Sequence, residues 1–193
     1  MGWGEFFALA SALCWALAVI LFRRAGDTLP AFELNLFKNL LGFALLVPTL
    51  LIVEGLQIPD YPIKDVAISL LSGYIGIALA DTWYLRALHL MGASRTGIFA
   101  RLLSPFVIVL SFLFLDESFR GLQVAGFALV MGGILLVNWK AHRQSVDTEH
   151  IRKGVLYGIG AVFLMAVGIV MVKEILETRS FVWTTQILSL IHI

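Results

Sequence analysis

Charge is scarce in this sequence. Only 14% of its 193 residues are Asp, Glu, Lys or Arg, and the formal net charge is +1; a soluble domain carries about 25%. Intrinsic disorder, which needs high charge and low hydrophobicity, is excluded. So is the strongly basic footprint of a nucleic-acid binder. Cysteine is scarcer still. The single Cys14 rules out a disulfide framework and a cysteine-rich metal site. His89, His142, His150 and His192 lack metal-ligand spacing, and neither a phosphate-binding glycine loop nor an ATP-binding motif occurs. No cofactor, metal or enzymatic activity is therefore expected. Apolar surface is what the chain has in excess, at 60% before its 17 glycines are counted. A water-soluble domain reaches about 45–50% with glycine included. The solvent of this chain is lipid.

A spanning helix takes about 20 largely apolar residues. Five stretches qualify up to residue 139: Gly4–Phe22, Leu34–Leu56, Val66–Leu85, Thr96–Leu115 and Gly121–Trp139, and a sixth runs from Gly154 to Val172. Short polar turns separate them, and the longest polar stretch is Lys140–Lys153. Hydrocarbon leaves no backbone group unpaired, so the spans are helices or barrel strands. Their length, without sustained alternation, selects helices. The first span is expected to stay uncleaved, because Met1–Glu5 carries no basic residue and Arg23-Arg24 follows the apolar run. Phe6 stands where a myristoylation signal needs serine or threonine, so no lipid anchor is expected.

At an offset of 150 residues Gly4 meets Gly154, Ala8 meets Gly158, Ala10 meets Gly160, Ala16 meets Ala166 and Arg23 meets Lys173. Small residues at matching positions suit close helix packing in lipid, although they are common in any membrane helix. As a repeat, each unit has five spans, and the odd number inverts the second unit. The expected organisation is a first repeat over 1–139, a polar linker over 140–153 and the start of a second repeat over 154–187. Residues 188–193, Leu-Ser-Leu-Ile-His-Ile, read as a translation of a transposase end sequence used in sequencing adapters. The chain is accordingly expected to be a fragment.

Ionisable groups within a membrane are costly and usually face a cavity or a partner. Lys38 lies one turn into the second span beside Asn35 and Asn39, Asp81 in the last third of the third, and Arg101 in the first half of the fourth. One reading gathers these groups around an aqueous cavity, where Lys38 or Arg101 attracts an anionic group and Asp81 balances it or binds a cation. The other has Lys38 and Arg101 snorkelling to headgroups and Asp81 capping a helix. Pro105 leaves the Arg101 carbonyl without its usual donor, which predicts a kink that serves either gating or packing. Trp83 and Tyr84 are candidates to line the cavity, and mid-span Trp15 suits a cavity or a helix contact. Trp3 and Trp139 stand at span ends as interfacial anchors. Asp116-Glu117 reads as a solvated turn, and Gly154-x-x-x-Gly158 as a helix-pairing motif that also fits a homo-oligomer. Gly73-Tyr74-Ile75-Gly76 reads as close packing.

An ordered series of short motifs then carries a resemblance. It runs through Ala80-Asp81-Thr82-Trp83-Tyr84-Leu85-Arg86-Ala87-Leu88, Gly92-Ala93-Ser94-Arg95, Leu103-Ser104-Pro105 and Phe114-Leu115-Asp116-Glu117, and closes on Gly126 and Gly132-Gly133. The chain resembles the EamA-like branch of the drug/metabolite transporter superfamily over Gly4–Asn138. Lys38 stands where that family often has arginine, and Asp116 where it commonly has glycine. The resemblance implies an all-α integral membrane bundle in two inverted five-helix halves, with a central cavity and alternating access. It also implies a small-metabolite substrate, often exported, and a prokaryotic inner (plasma) membrane as the location. Basic residues cluster after spans one, three and five, so the positive-inside rule places the N-terminus outside, whereas the resemblance implies a cytoplasmic N-terminus. The charge count is the reading adopted.

The function expected is thus secondary transport of small metabolites such as amino acids, coupled to a proton or cation gradient through Asp81, with Lys38 and Arg101 as substrate contacts. The partners expected are membrane lipids and a small-molecule substrate. A structural or accessory subunit is the alternative, followed by a membrane enzyme acting on lipid-linked substrates, for which Lys38, Asp81 and Arg101 are a poor constellation.

Overall fold

A computed structural model describes residues 2–55, 59–115, 121–141 and 148–190, and among these every regular element is helical. The helices are α1 (Trp3–Ala25), α2 (Ala31–Val53), α3 (Ile63–Gly73), α4 (Ala80–Met91), α5 (Ala93–Ala100), α6 (Leu103–Phe114), α7 (Gly121–Ala141), α8 (Thr148–Thr178) and α9 (Phe181–Leu190). A π-helical segment, Tyr74–Leu79, joins α3 to α4 without a break. Five described stretches are long and apolar enough to cross a membrane: Trp3–Ala25, Ala31–Val53, Ile63–Met91, Ala93–Phe114 and Glu149–Thr178. The expected fifth span is α7.

The sequence-based boundaries need three adjustments. The third span extends from Ile63 to Met91 and contains the π-helical turn. The fourth is two helices, broken at Arg101 and Leu102. The polar stretch 140–153 is helical at both ends, because α7 runs to Ala141 and α8 starts at Thr148. Leu188–Leu190, within the stretch read as adapter sequence, belong to α9; Ile191-His192-Ile193 lie outside the described residues. So do Asp116, Glu117 and His142.

Each helix end follows local chemistry. The Gly2 N–H donates to the Glu5 carboxylate at 3.1 Å, which satisfies one orphan donor at the start of α1. Arg23 and Asp27 pair at 2.6 Å where α1 ends. Pro62 stands at the N-cap of α3, and Pro30 at that of α2, where a proline costs no helical hydrogen bond. Gly92 has φ of +81°, a conformation open to glycine, and it turns the chain from α4 directly into α5.

Two apolar clusters hold the bundle. Ala31, Leu34, Leu85 and Leu88 form one, with Val19, Phe22 and Ala25 of α1 against it. Val172, Ile175 and Leu188 form the other, flanked by Tyr61, Ile68 and Ile77. Between them α8 runs antiparallel along the whole third span. Gly154 packs on Met91 and Leu90, Gly158 on Ala87, Gly160 on Trp83, and Gly168 on Gly76. A methyl group on Gly168 would stand 2.8 Å from the Gly76 Cα, so the two backbones touch there. The Ser72 hydroxyl donates to the Gly168 carbonyl at 2.8 Å at the same crossing. Gly73 meets the Leu188 carbonyl of α9. The motif Gly154-x-x-x-Gly158 is therefore used inside the chain, against α4 and Phe99 of α5.

Much apolar surface faces outward, including Ile52 at 83% and Leu122 at 87% exposure, and α1 buries no residue at all. In water such a surface would be an aggregation hazard. Hydrocarbon covers it at no cost.

Candidate functional site

Antiparallel packing brings the starts of α2, α5 and α8 to one end of the bundle, together with the ends of α1 and α4. Gly26 contacts His89 there, and Gly154 contacts Met91. Arg23, Arg24, Arg86, Arg95, Arg152 and Lys153 gather at this end, which is called the basic face below. Lys38 lies seven residues into α2 and Asp81 ten residues before the end of α4. At about 1.5 Å of rise per residue these depths are about 10 Å and 15 Å from the basic face. Both groups are thus inside the hydrocarbon zone.

There the structure joins them. The Lys38 ammonium pairs with the Asp81 carboxylate, with side chains 24% and 16% exposed. Neither group snorkels alone, and Asp81 caps no helix. The pairing removes most of the cost of two lone charges in a low-dielectric medium.

Asn35, one turn before Lys38 and nearly buried, clamps the neighbouring backbone. Its amide nitrogen lies 3.0 Å from the Ala78 carbonyl, 3.0 Å from the Thr82 hydroxyl and 3.4 Å from the Ile77 carbonyl. Its carbonyl accepts from the Asn39 amide at 2.9 Å. Thr82 donates in turn to the Ala78 carbonyl at 2.7 Å. Ile77 and Ala78 belong to the π-helical segment, whose wider turn offers carbonyls to outside donors. Asn35, Asn39 and Thr82 hence form a satisfied polar shelf beside the ion pair.

The aromatic candidates divide between two faces of α4. Tyr84 is buried three residues after Asp81, and its ring stands 6.3 Å from that of Trp15, itself half exposed on α1. Trp83 faces α8 instead, edge-on to Tyr157 at 5.8 Å. Gly160 admits that ring, since a Cβ there would come within 2.7 Å of it.

Arg101 does not join the pair. It is exposed in the turn between α5 and α6, where its N–H donates to the Ile98 carbonyl at 3.3 Å. A cation at the C-terminal end of α5 offsets the helix dipole, which explains its presence without a substrate. The interruption expected from Pro105 is present: the helix breaks at Arg101 and Leu102, at the carbonyl that the proline leaves without a donor. Pro105 is buried as the third residue of α6, where the first-turn N–H groups have no intrahelical acceptor anyway. The break falls one turn before the proline, where its missing N–H acts.

A second polar network, missed in the sequence, closes the opposite end. Arg179 pairs with Asp65 at 3.2 Å and lies 5.8 Å over the Tyr61 ring. The Tyr61 hydroxyl lies 3.2 Å from the Ser180 carbonyl and 3.0 Å from the Thr184 hydroxyl, and the Ser180 hydroxyl donates to Glu54 at 2.7 Å. Its members come from two segments, 54–65 and 179–184, more than a hundred residues apart, so no local spacing announces them. Among the described residues no group of three or more His, Cys, Asp or Glu could hold a metal.

Comparison with known protein families matches residues 2–139, the stretch that carries the Lys38–Asp81 pair, its polar shelf and Trp15, to the EamA-like transporter family. Comparison with curated proteins and with solved structures returns no match. With more than half of its length matched, this multispanning helical membrane protein belongs to the EamA-like transporter family of the drug/metabolite transporter superfamily.

Proposed function

We propose that the protein is a secondary transporter that exports small metabolites such as amino acids, working by alternating access between two inverted helical repeats, the first over 1–139. The observation that carries this reading is the Lys38–Asp81 pair held at membrane depth between two helices. The Lys38 ammonium accepts a substrate carboxylate and the Asp81 carboxylate accepts the substrate ammonium group, so a zwitterion binds with no change in the net charge of the site. A proton reaching Asp81 from outside cancels the charge that holds the ammonium group and expels the substrate. Loss of that proton to the cytoplasm restores the pair. Asn35, Asn39 and Thr82 offer polar contacts for the rest of a zwitterion, and Trp15 with Tyr84 offers an apolar wall.

Supporting this reading, the family is one of transporters, and an ion pair at that depth is a functional hypothesis by default. The sequence carries no ATP-binding motif, so any coupling is to an ion gradient; an uncoupled facilitator is the alternative. By the charge count the basic face is cytoplasmic and the N-terminus outside, in an inner or plasma membrane.

The test is counterflow of a panel of labelled amino acids in proteoliposomes containing the full chain, with and without an imposed pH gradient. Wild-type exchange should rise with the gradient, and Asp81→Asn should abolish that dependence and lower the rate at least tenfold. An unchanged rate and pH response in Asp81→Asn would sink the coupling role. Exchange by wild type of no panel member would sink the amino-acid assignment.

A further inference from the structure

On the side of α4 turned away from the ion pair lies a cleft of about 1230 Å³ between α4, α6 and α8. Small-molecule sites usually measure about 300–1,000 Å³, so this one is large for a metabolite. Its lining is sorted by depth. At the basic face it is bounded by Glu149, Arg152 and Lys153, in the first turns of α8. Deeper in, the lining is Ile159, Phe163, Phe106 and Trp83. Leu156 is 74% and Phe163 43% exposed, so the cleft opens sideways to the bilayer rather than only to water.

The length of the cleft fits one leaflet. Glu149 to Phe163 is 14 residues of continuous helix, or about 21 Å of rise. Half of a bilayer with its headgroups is about 20–22 Å. The charge fits as well. Lys153 pairs with Glu149 at 2.8 Å, and with Arg152 beside them one carboxylate stands against two cations, a net +1 among the described lining residues. The start of α8 adds the positive end of its helix dipole.

We propose that this cleft binds a single anionic phospholipid, with the phosphate at Arg152 and Lys153 and one acyl chain laid along Ile159 and Phe163 toward Trp83. A free phosphate would use only the charged end and leave the apolar length empty. A zwitterionic phospholipid would bring its own cation to two cations. Trp83 lies two residues from Asp81, so the bound chain packs directly on the helix that carries half of the ion pair.

The experiment places the full chain in nanodiscs of phosphatidylcholine and adds phosphatidylglycerol or phosphatidylcholine with brominated acyl chains. Quenching of Trp83 is read as the difference between the wild-type chain and Trp83→Phe. Brominated phosphatidylglycerol should quench at about fivefold lower mole fraction than brominated phosphatidylcholine, the ratio expected for one surface cation. Arg152→Gln with Lys153→Gln should remove that preference, whereas Lys64→Gln, a cation at the other end of the bundle, should leave it intact. Equal quenching by the two lipids would overturn the proposal, as would a preference that survives the double substitution. So would a disulfide between two copies of a Phe163→Cys, Cys14→Ala chain in the bilayer, because a second copy would then cover the cleft. None of these readouts depends on transport.

Discussion

A lysine and an aspartate 43 residues apart are each a liability in hydrocarbon and together a nearly neutral unit. Removing one partner should therefore cost more than removing both. Lys38→Met or Asp81→Asn alone is expected to lower stability by about 2–3 kcal/mol, less than for a fully buried pair because both side chains keep some exposure. The double substitution should recover at least half of that loss, read as thermal unfolding in detergent. Arg101→Gln, at an exposed turn, should change stability by no more than about 0.5 kcal/mol. Asn35→Leu strips the donors from Ile77, Ala78 and Thr82 and should cost about 2 kcal/mol. At this scale the sequence shows which residues are unusual, since polar groups stand out in an apolar run. It does not show that Lys38 meets Asp81 while Arg101 meets neither, because α-helical periodicity says nothing about which helices are neighbours.

The third span and α8 are the elements on which the others depend. Their contact is a series of glycines, and the glycine at each end of the Gly76–Gly168 crossing has no room for a side chain. Gly168→Val is expected to lower stability by about 2 kcal/mol through overpacking against backbone. Gly42→Ala is the contrasting case: the position lies inside α2 with open space around it, and the change should be neutral or stabilising by up to about 1 kcal/mol. Both are read by the same unfolding assay. Close packing at Gly73 and Gly76 was legible in the sequence, because small residues inside an apolar helix imply a near neighbour. The π-helical turn was not. One additional residue in a turn leaves hydropathy and periodicity almost unchanged over six positions. The break at Arg101 was legible as a kink, because Pro105 cannot donate to the Arg101 carbonyl; that the span divides there into two helices was not.

For the whole molecule, the fold turns scattered basic residues into one face. Arg23, Arg86, Arg95 and Arg152 come from different helices, and antiparallel packing collects them at one end. If that face is cytoplasmic, cysteine placed at Lys64 in a Cys14→Ala background should react with an impermeant maleimide applied from outside. Cysteine placed at Arg95 should react only after permeabilisation. The reverse pattern would invert the orientation. The membrane class, the helical nature of the spans and most of their limits were determined by sequence alone, because burial in lipid is a demand that each segment meets by itself through its own length and apolar content. The polar shelf on the π-helical carbonyls, the exclusion of Arg101 and the lock between Asp65 and Arg179 were decided only by tertiary structure. Each depends on which helices cross and at what depth, and in lipid that choice is made by small residues and polar pairs acting across the whole chain.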